Sequence, residues 1–312
     1  MQEFLFKVYN KSMQKISNHL FRGITGTPPL PSNPAADTIL YCALNQPNYR
    51  AYILAAKSFL RFYPDVAVVV QSDGSLEDAA RQEILDHLPG AIVYSKEDMF
   101  AGIAENADPH VQELLPGPDA FAQLVPVRIL YVKFFNVVLR LLRGGKRVII
   151  IDSDLVFLRP PDEIIEWIRA PYQHDFYGDG YNAEADRYRA MGFTFDSLDV
   201  ANFSSGTIGV GGEVLGDELG DILQTVRDRD PELYTRWEVE QAFWAIVLSR
   251  RPSPVNLDRL REVYIGSGWR RHGELRDKAV IAHFAGAIRF KNFRYQRLAR
   301  EIIADLNSRS GV

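Results

Sequence analysis

Four consecutive β-branched residues, Val148-Ile149-Ile150-Ile151, run straight into Asp152-Ser153-Asp154, and no other stretch limits the fold so tightly. Branching at Cβ disfavours helix and suits the pleated chain. An unbroken apolar strand, with no polar alternation, must be covered on both faces, which is the habit of parallel sheets flanked by helices. The rest of the first half keeps the same rhythm. Strand-length apolar runs at 38–44, 66–71 and 91–94 alternate with helical patterns at 49–61 and 76–87. That order predicts an α/β fold, a mostly parallel central sheet flanked by helices. Residues 127–142 form an apolar helical pattern stopped by Gly144-Gly145, as a left-handed helix end requires. Residues 107–117, polar and marked by proline, predict a surface loop. The second half is mixed, with strand-like pieces at 175–177, 207–210 and 279–282 and a helix near 238–249. The expected organisation is a Rossmann-like nucleotide-binding half completed by an acceptor half.

Ahead of this body, Leu5, Tyr9, Met13, Ile16 and Leu20 recur at steps of three or four, with Lys7, Lys11 and Lys15 off that stripe. This predicts an amphipathic helix. It suits packing on the body, contact with a second copy in a homo-oligomer, or a peripheral seat on an anionic membrane surface. The proline-dense residues 26–34 then read as an extended strap. The domain boundaries follow: 1–36 for helix and strap, 37–295 for one domain, and 296–312 for a C-terminal helix or tail.

Composition removes several classes of function. A net charge of −4 leaves no global basic footprint for nucleic acid. The single cysteine, Cys42, rules out a disulfide framework and a thiolate zinc cluster, and fits a cytoplasmic setting. No apolar run is long enough to span a bilayer.

The chemistry concentrates at the end of the central strand. In extended chain, Asp152 and Asp154 would point to one side, about 6.6 Å apart. Two such carboxylates repel unless a cation lies between them. A hard divalent ion, Mn²⁺ or Mg²⁺, bridging to a diphosphate satisfies both the acids and the phosphate oxygens. The plainer reading is a pair of aspartates capping a turn, and the buried strand before them weighs against it. His283 ends another apolar run, Ala279-Val280-Ile281-Ala282, and is followed by Phe284-Ala285-Gly286. An imidazole joined to carboxylates suits Mn²⁺ better than Ca²⁺. Gly286 would let backbone approach phosphate, with Arg289 and Lys291 supplying positive charge.

Taken in order, these motifs resemble the GT-A nucleotide-diphospho-sugar transferases, and most of all glycosyltransferase family 8, the glycogenin and lipopolysaccharide-galactosyltransferase group. Lys133 stands where that family has a helical lysine, and Asp152-Ser153-Asp154 matches its D-x-D. Phe203-Ser204-Ser205-Gly206 resembles its Phe-Asn-Ser-Gly, Glu240-Gln241 its Asp-Gln, and His283-Phe284-Ala285-Gly286 with Arg289 its closing motif. Ser204, Glu240 and Arg289 depart from the usual asparagine, aspartate and lysine. The resemblance implies a retaining transfer of sugar from a UDP-sugar to an acceptor that is a glycan, a lipid-linked sugar or a small molecule. It implies Asp154 and His283 as metal ligands, with Asp152 and Ser153 reaching the metal or the donor. Ala43, Leu44 and Asn45 would cradle the base, and Gly206, Glu240 and Gln241 would line the sugar pocket. If the course were inverting instead, Asp179 or Glu240 would serve as base, although Gly178-Asp179-Gly180 also reads as a plain turn.

Two rival readings stand beside this one. A HAD-type phosphatase would use Asp152 as nucleophile, but that motif should open a domain rather than follow a long α/β half. A nucleotide-sugar binding protein without turnover would keep the same residues and release no nucleotide. Trp237, Trp244 and Trp269 suit acceptor stacking as well as packing, and Trp269, inside Gly266-Ser267-Gly268-Trp269-Arg270, is the best placed in sequence.

Overall fold

The structure is a computed structural model that describes residues 21–180, 182, 184–257, 262–264, 278–285 and 293–308. The expected amphipathic helix, the loop bearing Trp269, and Gly286, Arg289 and Lys291 lie outside the described residues. No helix among those described is long and apolar enough to cross a membrane.

Seven strands make the main sheet: β1 (Thr38–Leu44), β2 (Ala67–Ser72), β3 (Ile92–Tyr94), β4 (Arg147–Ile151), β6 (Phe176–Asp179), β7 (Phe203–Val210) and β8 (Val255–Asn256). Their spatial order is β3-β2-β1-β4-β7-β6-β8. From β3 to β4 every pairing is parallel. β7 then runs antiparallel to both β4 and β6, while β6 and β8 are again parallel. A small second sheet has the order β5-β10-β9, built from β5 (Leu155–Phe157), β9 (Glu262–Tyr264) and β10 (Ile281–His283).

The run of β-branched residues does what its pattern demands. Val148 and Ile150 are buried in one core, Ile149 and Ile151 in the other, so β4 separates two apolar layers. One layer is covered by α1 (Tyr49–Leu60), α2 (Asp78–His87) and the C-terminal α11 (Arg294–Ser308). The other is covered by α3 (Lys96–Asn106), α4 (Pro109–Leu114), α5 (Pro118–Gln123), α6 (Val125–Leu130), α9 (Gly216–Arg229) and α10 (Val239–Ser249). α7 (Asp162–Arg169) and α8 (Ala185–Ala190) belong to the second half. The proline strap is pinned along its length, with the amides of Leu30, Ser32 and Asn33 donating to the carbonyls of His87, Pro89 and Val66.

Two local expectations need correction. Residues 107–117 are not an open loop, because α4 buries Val111 and Leu114 there. Pro109 at its first turn already has the helical φ and has no amide to waste, and the i, i+3 apolar pair gives that turn a face to bury. Residues 127–142 do not form one regular α-helix either. After α6 the chain winds into π-helical turns at Tyr131–Phe135 and Val137–Leu141, then a 3₁₀ turn at Leu142–Gly144. Gly145, at φ 70°, supplies the left-handed stop. Wide turns of this kind are frequent at functional sites, and Lys133 lies within the first.

Candidate metal and donor site

β4 delivers Asp152 to the carboxyl edge of the main sheet, where ligands of open α/β sheets collect. The Asp152 amide donates to the carbonyl of Gly206 on β7, at 2.9 Å. The expectation of an extended Asp-x-Asp fails here. Ser153 and Asp154 form a turn, because the chain must leave the main sheet to enter β5. That strand pairs antiparallel with β10, setting Leu155 opposite His283. The Phe284 amide donates to the Asp154 carbonyl at 3.0 Å. The ladder therefore fixes His283 beside both aspartates despite the long chain between them. His283 Nε2 lies 3.3 Å from Asp152 Oδ2 and 3.3 Å from Asp154 Oδ1. Gly206 completes this fit. A Cβ there would lie 2.7 Å from His283 Nδ1, too close for real atoms, so the imidazole packs directly on the glycine.

The two carboxylates and the imidazole offer ligand atoms all within 4.8 Å of one another. Burial works against an imidazolium at His283, yet its hydrogen bonds and charge interactions with Asp152 and Asp154 win and raise its pKa to about 10. The pocket is thus built to hold positive charge. Oxygen and nitrogen donors of this kind suit Mn²⁺ or Mg²⁺, so the residues present fit a divalent ion.

A second group of charges adjoins the first. Lys133 Nζ donates to Asp152 Oδ1 at 2.8 Å and lies 3.6 Å from Glu240 Oε1. The Ser205 hydroxyl donates to Glu240 Oε2 at 2.7 Å. Burial pushes the Asp152 carboxyl up, but the Lys133 charge and the His283 hydrogen bond more than reverse it, leaving it well below the carboxylate range. Glu240 is raised, because burial outweighs the help from Lys133 and Ser205. Gln241, next along α10, donates its amide to the Phe203 carbonyl at 3.1 Å.

These groups line a cavity of about 460 Å³. Of the residues expected from sequence, it brings together Ala43, Leu44, Asn45, Lys133, Asp152, Ser153, Asp154, Glu240 and Gln241. Gly206 stands behind His283 rather than on the cavity wall. Asp179 ends β6, opposite Phe203, and β7 separates that strand from β4. Sequence reasoning missed Asn48, Asp73 and Ser205, and ranked Trp237 below Trp269, yet all four are on the cavity wall. Ser205 had a usable signal. Alternation along a strand puts residues 203 and 205 on one face, so the serine reaching Glu240 had to be Ser205 if Gly206 backs the site.

No protein-family model matches this chain, and no curated protein matches it. Among solved structures it is similar to the galactosyltransferase LgtC in complex with donor and acceptor sugar analogues, at 12% identity over 86% of this chain and 95% of that one, with a TM-score of 0.46. It is also similar to mouse xyloside xylosyltransferase 1, at 15% identity over 80% and 97%, with a TM-score of 0.45. A third is the glycosyltransferase GlyE of Streptococcus pneumoniae TIGR4, at 12% identity over 87% and 63%, with a TM-score of 0.49. These are likenesses of chain path, and what the site can do follows from its own side chains.

Proposed function

We propose that this chain is a metal-dependent glycosyltransferase, moving a sugar from a UDP-sugar to an acceptor hydroxyl with retention of anomeric configuration. The observation that carries the reading is the convergence of His283, from the second sheet, on Asp152 and Asp154, two acids that line the cavity. Asp154 and His283 would hold Mn²⁺ or Mg²⁺, with Asp152 reaching the ion or the donor ribose. When bound, the ion neutralises charge on the departing nucleoside diphosphate.

The chain's own groups divide the remaining work. Ala43, Leu44 and Asn45, at the end of β1, are suited to hold the base. Ser153 would meet the diphosphate, Gly286 would let backbone approach it, and Arg289 and Lys291 would supply positive charge. Lys133 keeps Asp152 ionised and shares its charge with Glu240. Glu240 and Gln241 project from the first turn of α10 into the cavity, where either can stabilise an oxocarbenium-like transition state from the far face of the sugar. Asp179 is retained only as a base for an inverting course, which the anomeric configuration of the product decides by NMR.

A phosphatase mechanism would need Asp152 free to attack. Its Oδ1 is instead held by Lys133 and its Oδ2 faces His283. The remaining rival, a binder without turnover, releases no nucleotide, whereas a transferase slowly hydrolyses its donor.

Thermal-shift screening of UDP-, GDP- and CMP-sugars with and without Mn²⁺ tests the reading, since a ligand of the folded state raises Tm in proportion to its affinity. A UDP-sugar should give the largest shift, and only with Mn²⁺. Asp154→Ala should abolish the metal-dependent part and lower transfer by more than about a hundredfold. An unchanged shift in that variant would sink the assignment.

A further inference from the structure

We propose that Trp237 is the platform of an acceptor subsite, stacking on the apolar C–H face of a pyranose ring that carries the receiving hydroxyl. The inference rests on the glycosyl-transfer reading and adds to it the class of acceptor and the residue that selects it. In that transfer the acceptor oxygen bonds to the anomeric carbon while the bond to the diphosphate oxygen breaks with its electron pair. The hydroxyl proton leaves with the nucleoside diphosphate.

Burial sets Trp237 apart from the other described tryptophans. Trp167 and Trp244 are 6% and 0% exposed, and both pack edge-on against phenylalanines. Trp237 is 66% exposed and lines the same cavity as Asp152, Asp154 and Glu240. An indole held in water forgoes about 2–3 kcal/mol of burial, so its place on a polar cavity wall calls for a ligand with an apolar face.

The backbone that carries it is tied down. Trp237 stands at the tip of a turn between the buried Leu233 and Val239. The Arg236 amide donates to the Leu233 carbonyl at 3.0 Å, and the Val239 amide to the Arg236 carbonyl at 3.2 Å. An anchored backbone gives up little further freedom when a ring settles on its side chain. Polar groups able to meet hydroxyls, Ser205, Glu240 and Gln241, line the same cavity. An aromatic face beside such polar groups is a natural sugar site, since pyranoses carry apolar faces rimmed by hydroxyls.

Sheet order says which sugar. The strands run β1-β4-β7, so the cavity extends from the proposed base cradle at β1, across the acids after β4, to Ser205 on β7 and Glu240 on α10. Trp237 comes two residues before α10, so the chain carries it to the cavity from the Glu240 side, with the paired acids between that side and β1. Stacking on the donor base is therefore disfavoured, and the ring that reaches Trp237 is the acceptor.

Saturation-transfer NMR with methyl α- and β-glucosides and galactosides, on wild type and on Trp237→Ala and Trp237→Phe, tests the platform without any donor. At least one glycoside should show its strongest signals on the protons of a single ring face, lost in Trp237→Ala and largely kept in Trp237→Phe. In transfer assays with p-nitrophenyl hexosides, Trp237→Ala should raise the acceptor KM roughly tenfold, with kcat within about threefold and the Mn²⁺-dependent UDP-sugar shift unchanged. No glycoside signal that depends on Trp237, or a loss confined to donor binding, would overturn the platform. A wild type that binds glycosides through Trp237 yet binds no nucleotide-sugar would instead overturn the donor reading alone.

Discussion

Lys57 and Lys133 are the two buried lysines among the described residues, 0% and 6% exposed, and their surroundings drive their ammonium groups in opposite directions. Burial alone would lower both. At Lys133 the charges of Asp152 and Glu240 outweigh it, and the pKa rises. Lys57 Nζ has partners without charge. It donates to Thr27 Oγ1 and the Pro28 carbonyl, each at 2.7 Å, and lies 3.0 Å from His87 Nδ1. Its pKa falls to about 8, through burial. One lysine is therefore a fixed charge that organises a polar cavity. The other is a hydrogen-bonding clamp that fastens the strap to α1 and α2 and tolerates its charge at a cost. Depth does not decide what a buried lysine does; the charge of its partners does.

The largest expected effect follows from breaking the first of these. Lys133→Met leaves the buried Glu240 and the partly exposed Asp152 without their shared cation, which should cost about 3 kcal/mol. Urea unfolding reads the loss, and Mn²⁺-dependent donor binding should fall with it. A variant as stable as wild type would mean that the two acids never depended on that charge.

Gly206→Ala keeps every charge but takes the space on which His283 rests. Displacing an orienting contact of this kind should weaken Mn²⁺ affinity about 10- to 100-fold. The secondary structure should be unaltered, so calorimetric titration beside circular dichroism separates the two. Undiminished Mn²⁺ binding would show that the imidazole has room to move.

The smallest effect belongs to Lys57, and it is read through pH. Unfolded, this lysine titrates near 10.5, whereas folded it does so at about 8. Between those values the unfolded chain still binds a proton that the folded chain has released. The stability of wild type relative to Lys57→Met should therefore rise as pH climbs from about 8 to about 10.5. Parallel stability curves for the two proteins across that window would remove the contrast with Lys133.

The first half of the fold was legible because its signals are local. Apolar runs of strand length, separated by helical patterns, placed β1, β2 and β4 within a residue or so of their observed bounds. The same local reading misjudged α4, because one apolar pair in a polar stretch leaves too faint a pattern, and its burial is supplied by the body around it. It also read 127–142 as regular helix, since an apolar run looks alike whether its turns are α or π. At the site, the aspartates and His283 stood out singly. Ser205 and Trp237 did not, one hidden beside an equivalent serine and the other indistinguishable by sequence from tryptophans that pack.

What the sequence determined by itself is the sheet with two apolar faces and the acids at the end of its central strand, because period and branching act between neighbours in the chain. Tertiary structure alone decided that the Asp-x-Asp bends into a turn, that a second sheet carries His283 back onto Gly206, and that Lys133 stands between Asp152 and Glu240. Those facts depend on pairings between distant segments, which follow from the packing of whole layers and leave no trace in local spacing.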